Sequence, residues 1–243
     1  MSDGGKYADV CPDTLDRLRQ RAAQRCSSAK DADKAVKTAL HQITGAFITP
    51  AELKRARKLM EMSDAETAVR ETLALHASTR ERLPHIDAFY DELLKGLRVG
   101  SVLDLACGLN PLYLGLKGFV VRGVDISGRC VNLVNAWAEK LGWDVRAECR
   151  DLLCGGTFEA CDLALAMKLM PVLDREEKGA AIRLLNRVPA PLIAVTFPTA
   201  TLGGRKIGME RHYADWFEPQ LRGAFNIVRR DVLFGELVYI IGR

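Results

Sequence analysis

The sequence predicts an α/β fold, a mainly parallel seven-stranded sheet with helices on both faces, preceded by an all-α N-terminal domain. Three observations carry that reading. Up to about residue 97 the apolar residues recur three and four apart, with helix-start signals between them. After Gly100 short apolar runs alternate with helical stretches, which implies parallel strands joined by crossover helices. Residues 101–111, Ser-Val-Leu-Asp-Leu-Ala-Cys-Gly-Leu-Asn-Pro, read as an apolar strand, a small-residue turn and a new helix. The expected division is a helical domain over residues 1–97 and an α/β domain over residues 98–243.

In chain order, Asp13 or Thr14 is placed to cap a first helix reaching Cys26, and a second is expected from Asp31 to Ile43. Thr49-Pro50-Ala51-Glu52 has the form of a capping box with proline at the first helical position. Ser63-Asp64-Ala65-Glu66 repeats that form ahead of a helix running towards His76. A polar, charged connection follows over 75–84, and Ile86, Phe89, Tyr90, Leu93 and Leu94 mark a helix over His85–Leu97. Strands are expected at 101–106, 119–125, 143–149, 162–168, 190–197, 224–230 and 236–241.

Composition narrows the function classes. The chain is 48% hydrophobic and 27% charged over 243 residues, which supports a folded core and argues against disorder. No apolar run approaches the length of a membrane span, and the opening Met-Ser-Asp-Gly-Gly-Lys lacks a secretory leader's apolar stretch, so a cytoplasmic location is expected. Seven cysteines and four histidines show no metal-ligand spacing, so reduced thiols and no metal are expected. The net charge of +4 is a weak pointer to nucleic acid, but its distribution is uneven. Residues 1–60 hold 12 Lys and Arg against 7 Asp and Glu, whereas residues 61–97 hold 4 against 8. Arg17, Arg21 and Lys34 on the first two helices are candidates for phosphate contact, and the same surplus also reads as a solvated helical face.

The turn after the first strand carries the chemistry. Ala106 and Gly108 let a ligand approach the backbone, and the helix behind them offers free N–H groups. Asp104 inside the strand, in place of a GxGxxG turn after it, suits a ligand with an ammonium group better than a pyrophosphate. About twenty residues on, Gly-Val-Asp-Ile ends the next apolar run, and Asp125 with Ile126 stands where doubly wound folds hydrogen-bond a ribose diol. Asp151 and Leu152 occupy the next strand end, where a carboxylate suits an adenine amino group. Three acidic strand ends in order point to a Rossmann-like, class I S-adenosylmethionine-dependent methyltransferase domain; NAD remains the alternative ligand.

Several motifs occur in one order: His76-Ala77-Ser78-Thr79-Arg80-Glu81-Arg82, then Leu-Asp-Leu-Ala-Cys-Gly-Leu-Asn-Pro, Lys168 three residues before Pro171, Val195-Thr196-Phe197-Pro198-Thr199, and Gly235-Glu236-Leu237-Val238-Tyr239-Ile240. Together they resemble the aminoglycoside-resistance 16S rRNA methyltransferases, the family that methylates guanine N7 in the decoding A site of the 30S subunit. The similarity runs from Gly45-Ala46-Phe47 to the C-terminus; the first forty residues match only in helical, basic character. The resemblance implies a cofactor pocket lined by Phe47, His76, Ala77, Ser78, Arg82, Asp104, Ala106, Gly108, Asp125, Ile126, Asp151, Leu152, Met167 and Glu176. An arginine such as Arg82 suits the methionine carboxylate because its planar fork binds both oxygens. Some relatives carry Gln at the position of Glu176 and Thr at that of Leu169, which leaves the guanine contacts unsettled.

The implied chemistry needs no acid or base. Guanine N7 has an in-plane lone pair and no proton to remove, and the sulfonium of S-adenosylmethionine is already a methyl donor, with S-adenosylhomocysteine as product. Placement and desolvation then carry the rate. The base has to leave its stack, for which Lys168 is expected to orient guanine, Phe197 and Pro198 to stack on it, and Arg205, Lys206 and Arg211 to grip RNA backbone. The alternative is a methyltransferase acting on another RNA site or on a small molecule. No membrane and no obligate protein partner are expected.

Overall fold

The computed structural model describes residues 7, 9–44, 48–199 and 208–243. Helices come first: α1 (Pro12–Arg25), α2 (Ala29–Thr44), α3 (Pro50–Leu59), α4 (Ala65–Leu73), α5 (Ala77–Arg82) and α6 (Ile86–Leu94). Strands and helices then alternate as β1 (Ser101–Leu105), α7 (Asn110–Leu116), β2 (Val120–Asp125), α8 (Gly128–Leu141), β3 (Val145–Cys149), β4 (Leu163–Met167), α9 (Met170–Glu176), α10 (Ala180–Arg187) and β5 (Leu192–Pro198). The chain closes with α11 (Met209–Leu221), β6 (Asn226–Leu233) and β7 (Glu236–Gly242). The strands form one seven-stranded sheet in the order β3-β2-β1-β4-β5-β7-β6, the α/β architecture expected from the sequence.

By compactness the chain divides into two units, residues 1–84 with 107–155 and residues 85–106 with 156–243. In the first, β2 pairs parallel with β3, Val121 opposite Val145 and Asp125 opposite Cys149. Its core is built around Trp137 of α8 and Tyr113 of α7, both fully buried. Gly115 is required there: a Cβ would lie 2.6 Å from the Trp143 ring. Ser127 caps α8 through the Cys130 N–H, and Gly142 ends the helix in the left-handed conformation (φ 65°) that costs glycine least.

In the second unit β1, β4 and β5 run parallel, while β7 pairs antiparallel with β5 and with β6. β4 and β7 are buried nearly end to end and read as continuous apolar runs, as interior strands do. β6 is an outer strand, exposed at most positions, and its register shifts at a bulge between Ile227 and Arg229. The Arg229 guanidinium donates to the Glu92, Leu93 and Lys95 carbonyls and so satisfies the C-terminal end of α6. Phe197 lies at the centre of an aromatic cluster with Tyr213, Phe217 and Tyr239, ring centroids 4.8–6.0 Å away.

The local signals hold in part. Thr49 and Glu52 form the expected reciprocal capping box. Asp64, not Ser63, caps α4, because its carboxylate receives both the Glu66 and Thr67 N–H groups. α1 starts at Cys11 without a side-chain cap, and the expected cap Thr14 donates instead to the Asp151 carboxylate. The charged stretch over 75–84 is α5 followed by a 3-10 turn rather than an open linker; Thr79 on its inner face donates to the Leu73 and His76 carbonyls.

Candidate functional site

In the first unit the site is organised by Asp125, the last residue of β2. Its two oxygens accept one backbone N–H each, Gly108 on Oδ2 and Ser127 on Oδ1, both at 2.8 Å. The Cys107 N–H closes onto the Val124 carbonyl at 3.0 Å, so the turn after β1 is fastened to the end of β2. Gly108 is glycine for two reasons. Its φ is +53°, and a Cβ there would sit 2.9 Å from Cε1 of His76. His76 Nδ1 in turn shares a hydrogen bond with Ser78 Oγ at 2.8 Å.

Burial raises the Asp125 carboxyl above the usual range, against the opposing pull of the Ser127 and Gly108 N–H groups and of His76. Burial likewise lowers His76, against Asp125 and Glu52, which favour its charged form. The sign for stability follows. Between the depressed folded value and the unfolded value near 6.5, the unfolded chain binds a proton that the folded chain refuses, so this group's contribution falls as pH drops through that window. Going from pH 7.5 to 6.0, urea denaturation of wild type is expected to lose up to about 0.8 kcal/mol more than His76→Gln does. An equal pH dependence in the two proteins would remove His76 from the account.

Asp151 follows β3 and is 3% exposed. Its Oδ1 accepts the Leu153 N–H at 2.9 Å, and its Oδ2 accepts Thr14 Oγ1 and Arg17 Nε, also at 2.9 Å. Leu152 beside it is buried and Ile126 half-buried. Arg82 is buried on α5, while Ala77 and Ser78 on the same helix are exposed. The first unit thus gathers His76, Ser78, Gly108, Asp125, Ile126, Asp151 and Leu152 at the turn after β1 and the carboxyl ends of β2 and β3. It also places Arg17 differently from the phosphate-contact reading: that side chain is spent on the Asp151 ion pair. Lys34 is exposed on α2 and Arg21 half-buried on α1.

The second unit holds the remaining positions. Asp104 is buried in β1, and Ala106 is exposed with φ +57°, a left-handed conformation for a residue carrying a Cβ. Met167 ends β4 and receives the Tyr90 hydroxyl on Sδ at 3.8 Å. Lys168 follows with φ +54°, its N–H donating to the Thr196 carbonyl at 3.0 Å and lying 3.2 Å from Thr196 Oγ1. Its ammonium stands 3.5 Å from Oε1 of Glu236, a carboxylate almost fully buried at the start of β7. Thr199 ties the end of β5 to the same turn, donating N–H and Oγ1 to the Gly235 carbonyl at 3.0 and 2.8 Å.

Phe197 does not fit the stacking role expected for it. It is fully buried, with Tyr213 stacked on one side at 4.8 Å and other rings against its edges, so no face is open to a base. Pro198, the next residue, is partly exposed. Glu176 is half-buried near the end of α9, and Arg211 is fully at the surface of α11, 3.6 Å from Asp215. Phe47, Arg205 and Lys206 lie outside the described residues. Glu236 and Thr14 were missed by sequence reasoning. An acid opening the apolar run Leu-Val-Tyr-Ile-Ile was a usable signal for the first; nothing local marks the second.

The residues fit S-adenosylmethionine: backbone N–H groups fix a ribose-competent carboxylate, a second fixed carboxylate follows the end of the next strand, and the buried Arg82 lies close in sequence to His76. Among the described residues no group of three His, Cys, Asp or Glu is placed to hold a metal ion, and no helix is long and apolar enough to cross a membrane.

Comparison with known proteins agrees. A curated 16S rRNA (guanine(1405)-N(7))-methyltransferase of Serratia marcescens is 42% identical over 237 residues, covering 97% of this chain and 93% of its own. The crystal structure of the 16S rRNA methyltransferase RmtF in complex with S-adenosyl-L-homocysteine is 45% identical with a TM-score of 0.87, covering 99% of this chain and 95% of that one. The 16S rRNA methylase RmtB superposes with a TM-score of 0.88 at 38% identity, covering 99% and 94%. The family model for the ribosomal RNA methyltransferase FmrO matches residues 3–240. With nearly the whole length matched, the chain belongs to the FmrO family of ribosomal RNA methyltransferases.

Proposed function

We propose that this protein methylates N7 of a guanine in the decoding A site of 16S rRNA, within the assembled 30S subunit, with S-adenosylmethionine as donor, and thereby confers aminoglycoside resistance in the bacterial cytoplasm. The observation that carries the cofactor half is the Asp125 carboxylate, spread over the Gly108 and Ser127 N–H groups at the end of β2. Family membership and the relatives' stated target support the rest.

S-adenosylmethionine supplies a methyl group on a positively charged sulfur. Asp125 binds the ribose hydroxyls while its own orientation is held by two backbone donors. Asp151 accepts from the adenine amino group, with Leu152 next to it in sequence and Ile126 next to Asp125 as apolar residues, and Arg82 pairs with the methionine carboxylate. Asp104 answers the ammonium group, and His76, Ala77, Ser78, Phe47, Met167 and Glu176 are the further residues that the family resemblance assigns to the cofactor. Lys168 is steadied by Glu236 and by two bonds to Thr196, and it presents a cation to the guanine O6. Pro198, in place of the buried Phe197, is the surface beside which the base lies. N7 has no proton to lose, so these residues contribute orientation and exclusion of water rather than proton transfer.

The helical region up to residue 97 is the docking surface for RNA, with Arg21 and Lys34 on its basic helices meeting phosphates together with Arg205, Lys206 and, on α11, Arg211. The test is methylation of purified 30S subunits with labelled S-adenosylmethionine, followed by borohydride–aniline cleavage and reverse-transcription mapping. A single cleavage at the A-site guanine is expected. Label without that cleavage would refute guanine N7, and label on a small molecule but not on 30S subunits would favour a metabolite-directed enzyme.

A further inference from the structure

We infer that Thr14 and Arg17 of α1 are positioning residues for the cofactor's adenine, acting through Asp151. The inference rests on the reading of Asp151 as the adenine-side acid.

The chain entering α1 runs along the carboxyl ends of β2 and β3. The Cys11 N–H donates to the Ile126 carbonyl at 2.8 Å, and the Gly128 N–H donates to the Asp9 carbonyl at 2.7 Å. Val10 makes an antiparallel bridge with Ser127, and Arg129 Nε pairs with the Asp9 carboxylate at 2.7 Å. One turn into the helix, the fully buried Thr14 and the largely buried Arg17 both reach Oδ2 of Asp151 at 2.9 Å. The opposite oxygen is taken by the Leu153 N–H.

Three donors from two directions therefore leave the carboxylate one orientation. An amino group of adenine needs an acceptor of fixed direction, and donors on both oxygens set that direction. Arg17 supplies a charge-assisted restraint and Thr14 a second one. Residues 9–17 are thus a structural part of the adenine subsite. The same geometry withdraws Arg17 from phosphate binding, since its Nε is committed to the carboxylate with the side chain 19% exposed. Basic character at the start of the chain serves the cofactor at this position.

The test compares S-adenosylhomocysteine with S-inosylhomocysteine, whose 6-oxo group presents an acceptor where adenine presents a donor, by titration calorimetry on the full chain. Wild type is expected to prefer the adenosyl ligand by more than about tenfold. Arg17→Ala is expected to bring the ratio close to one by losing adenosyl affinity, Thr14→Val to reduce it by about threefold, and the exposed Arg19→Ala to leave it unchanged. A general loosening of the fold would weaken both ligands alike and preserve the ratio, which would overturn the inference. If Arg17→Ala does not fold, the ratio in Thr14→Val decides. Absence of any preference in wild type would overturn the reading of Asp151 itself.

Discussion

Replacing Asp125 with asparagine is expected to weaken S-adenosylhomocysteine binding by about a hundredfold while leaving a folded protein. The side chain keeps its shape but exchanges one acceptor for an NH2 donor. Either the Gly108 or the Ser127 N–H then faces a donor, because each carboxylate oxygen holds one of them. A buried donor without an acceptor costs about 1–3 kcal/mol, and the ribose contact loses its charge as well. The loss falls on the turn after β1 and on the ligand together, so thermal stability is expected to drop by about 2–12 °C alongside affinity. Calorimetric titration and a melting curve check both effects. Affinity within threefold of wild type would remove Asp125 from the ribose site.

The second large effect is on stability. Trp137 is fully buried in α8, and truncation to alanine is expected to cost about 3–5 kcal/mol in urea denaturation. Its indole N–H has no hydrogen-bond partner among the described residues, so phenylalanine forfeits no bond there. Trp137→Phe is therefore expected to cost less than half as much as Trp137→Ala, the difference being cavity volume alone. Equal losses for the two variants would mean that the N–H matters after all.

Much of the fold was legible because buried parallel strands and amphipathic helices leave distinct periods in a chain. The acidic residues closing β2 and following β3 were legible for the same reason: an acid at the end of an apolar run is conspicuous, and the topology puts such ends on one edge. What failed has physical causes. Phe197 ends an apolar run like a surface aromatic, but β7 returns antiparallel beside β5 and α11 follows, and their rings enclose it. A charge count along α1 gave Arg17 to RNA phosphate, because its partner is 134 residues away and no local pattern encodes a pair so distant. Thr14 was misjudged as a cap for the same reason, since the carboxylate that claims its hydroxyl is equally remote in sequence.

That separation bears on how the protein is born. α1 is synthesised early, yet the carboxylate that Thr14 and Arg17 hold appears 137 and 134 residues later. At about 5–20 residues per second, a ribosome needs roughly 7–27 s to deliver it. During that interval the first helices are without the strands that complete their compact unit, which closes only at Gly155. Contacts so far apart form slowly, since a long loop must close before they return any stabilisation. These helices are made well before the residues that complete their unit and are finished late, by the same kind of particle whose RNA this enzyme family modifies.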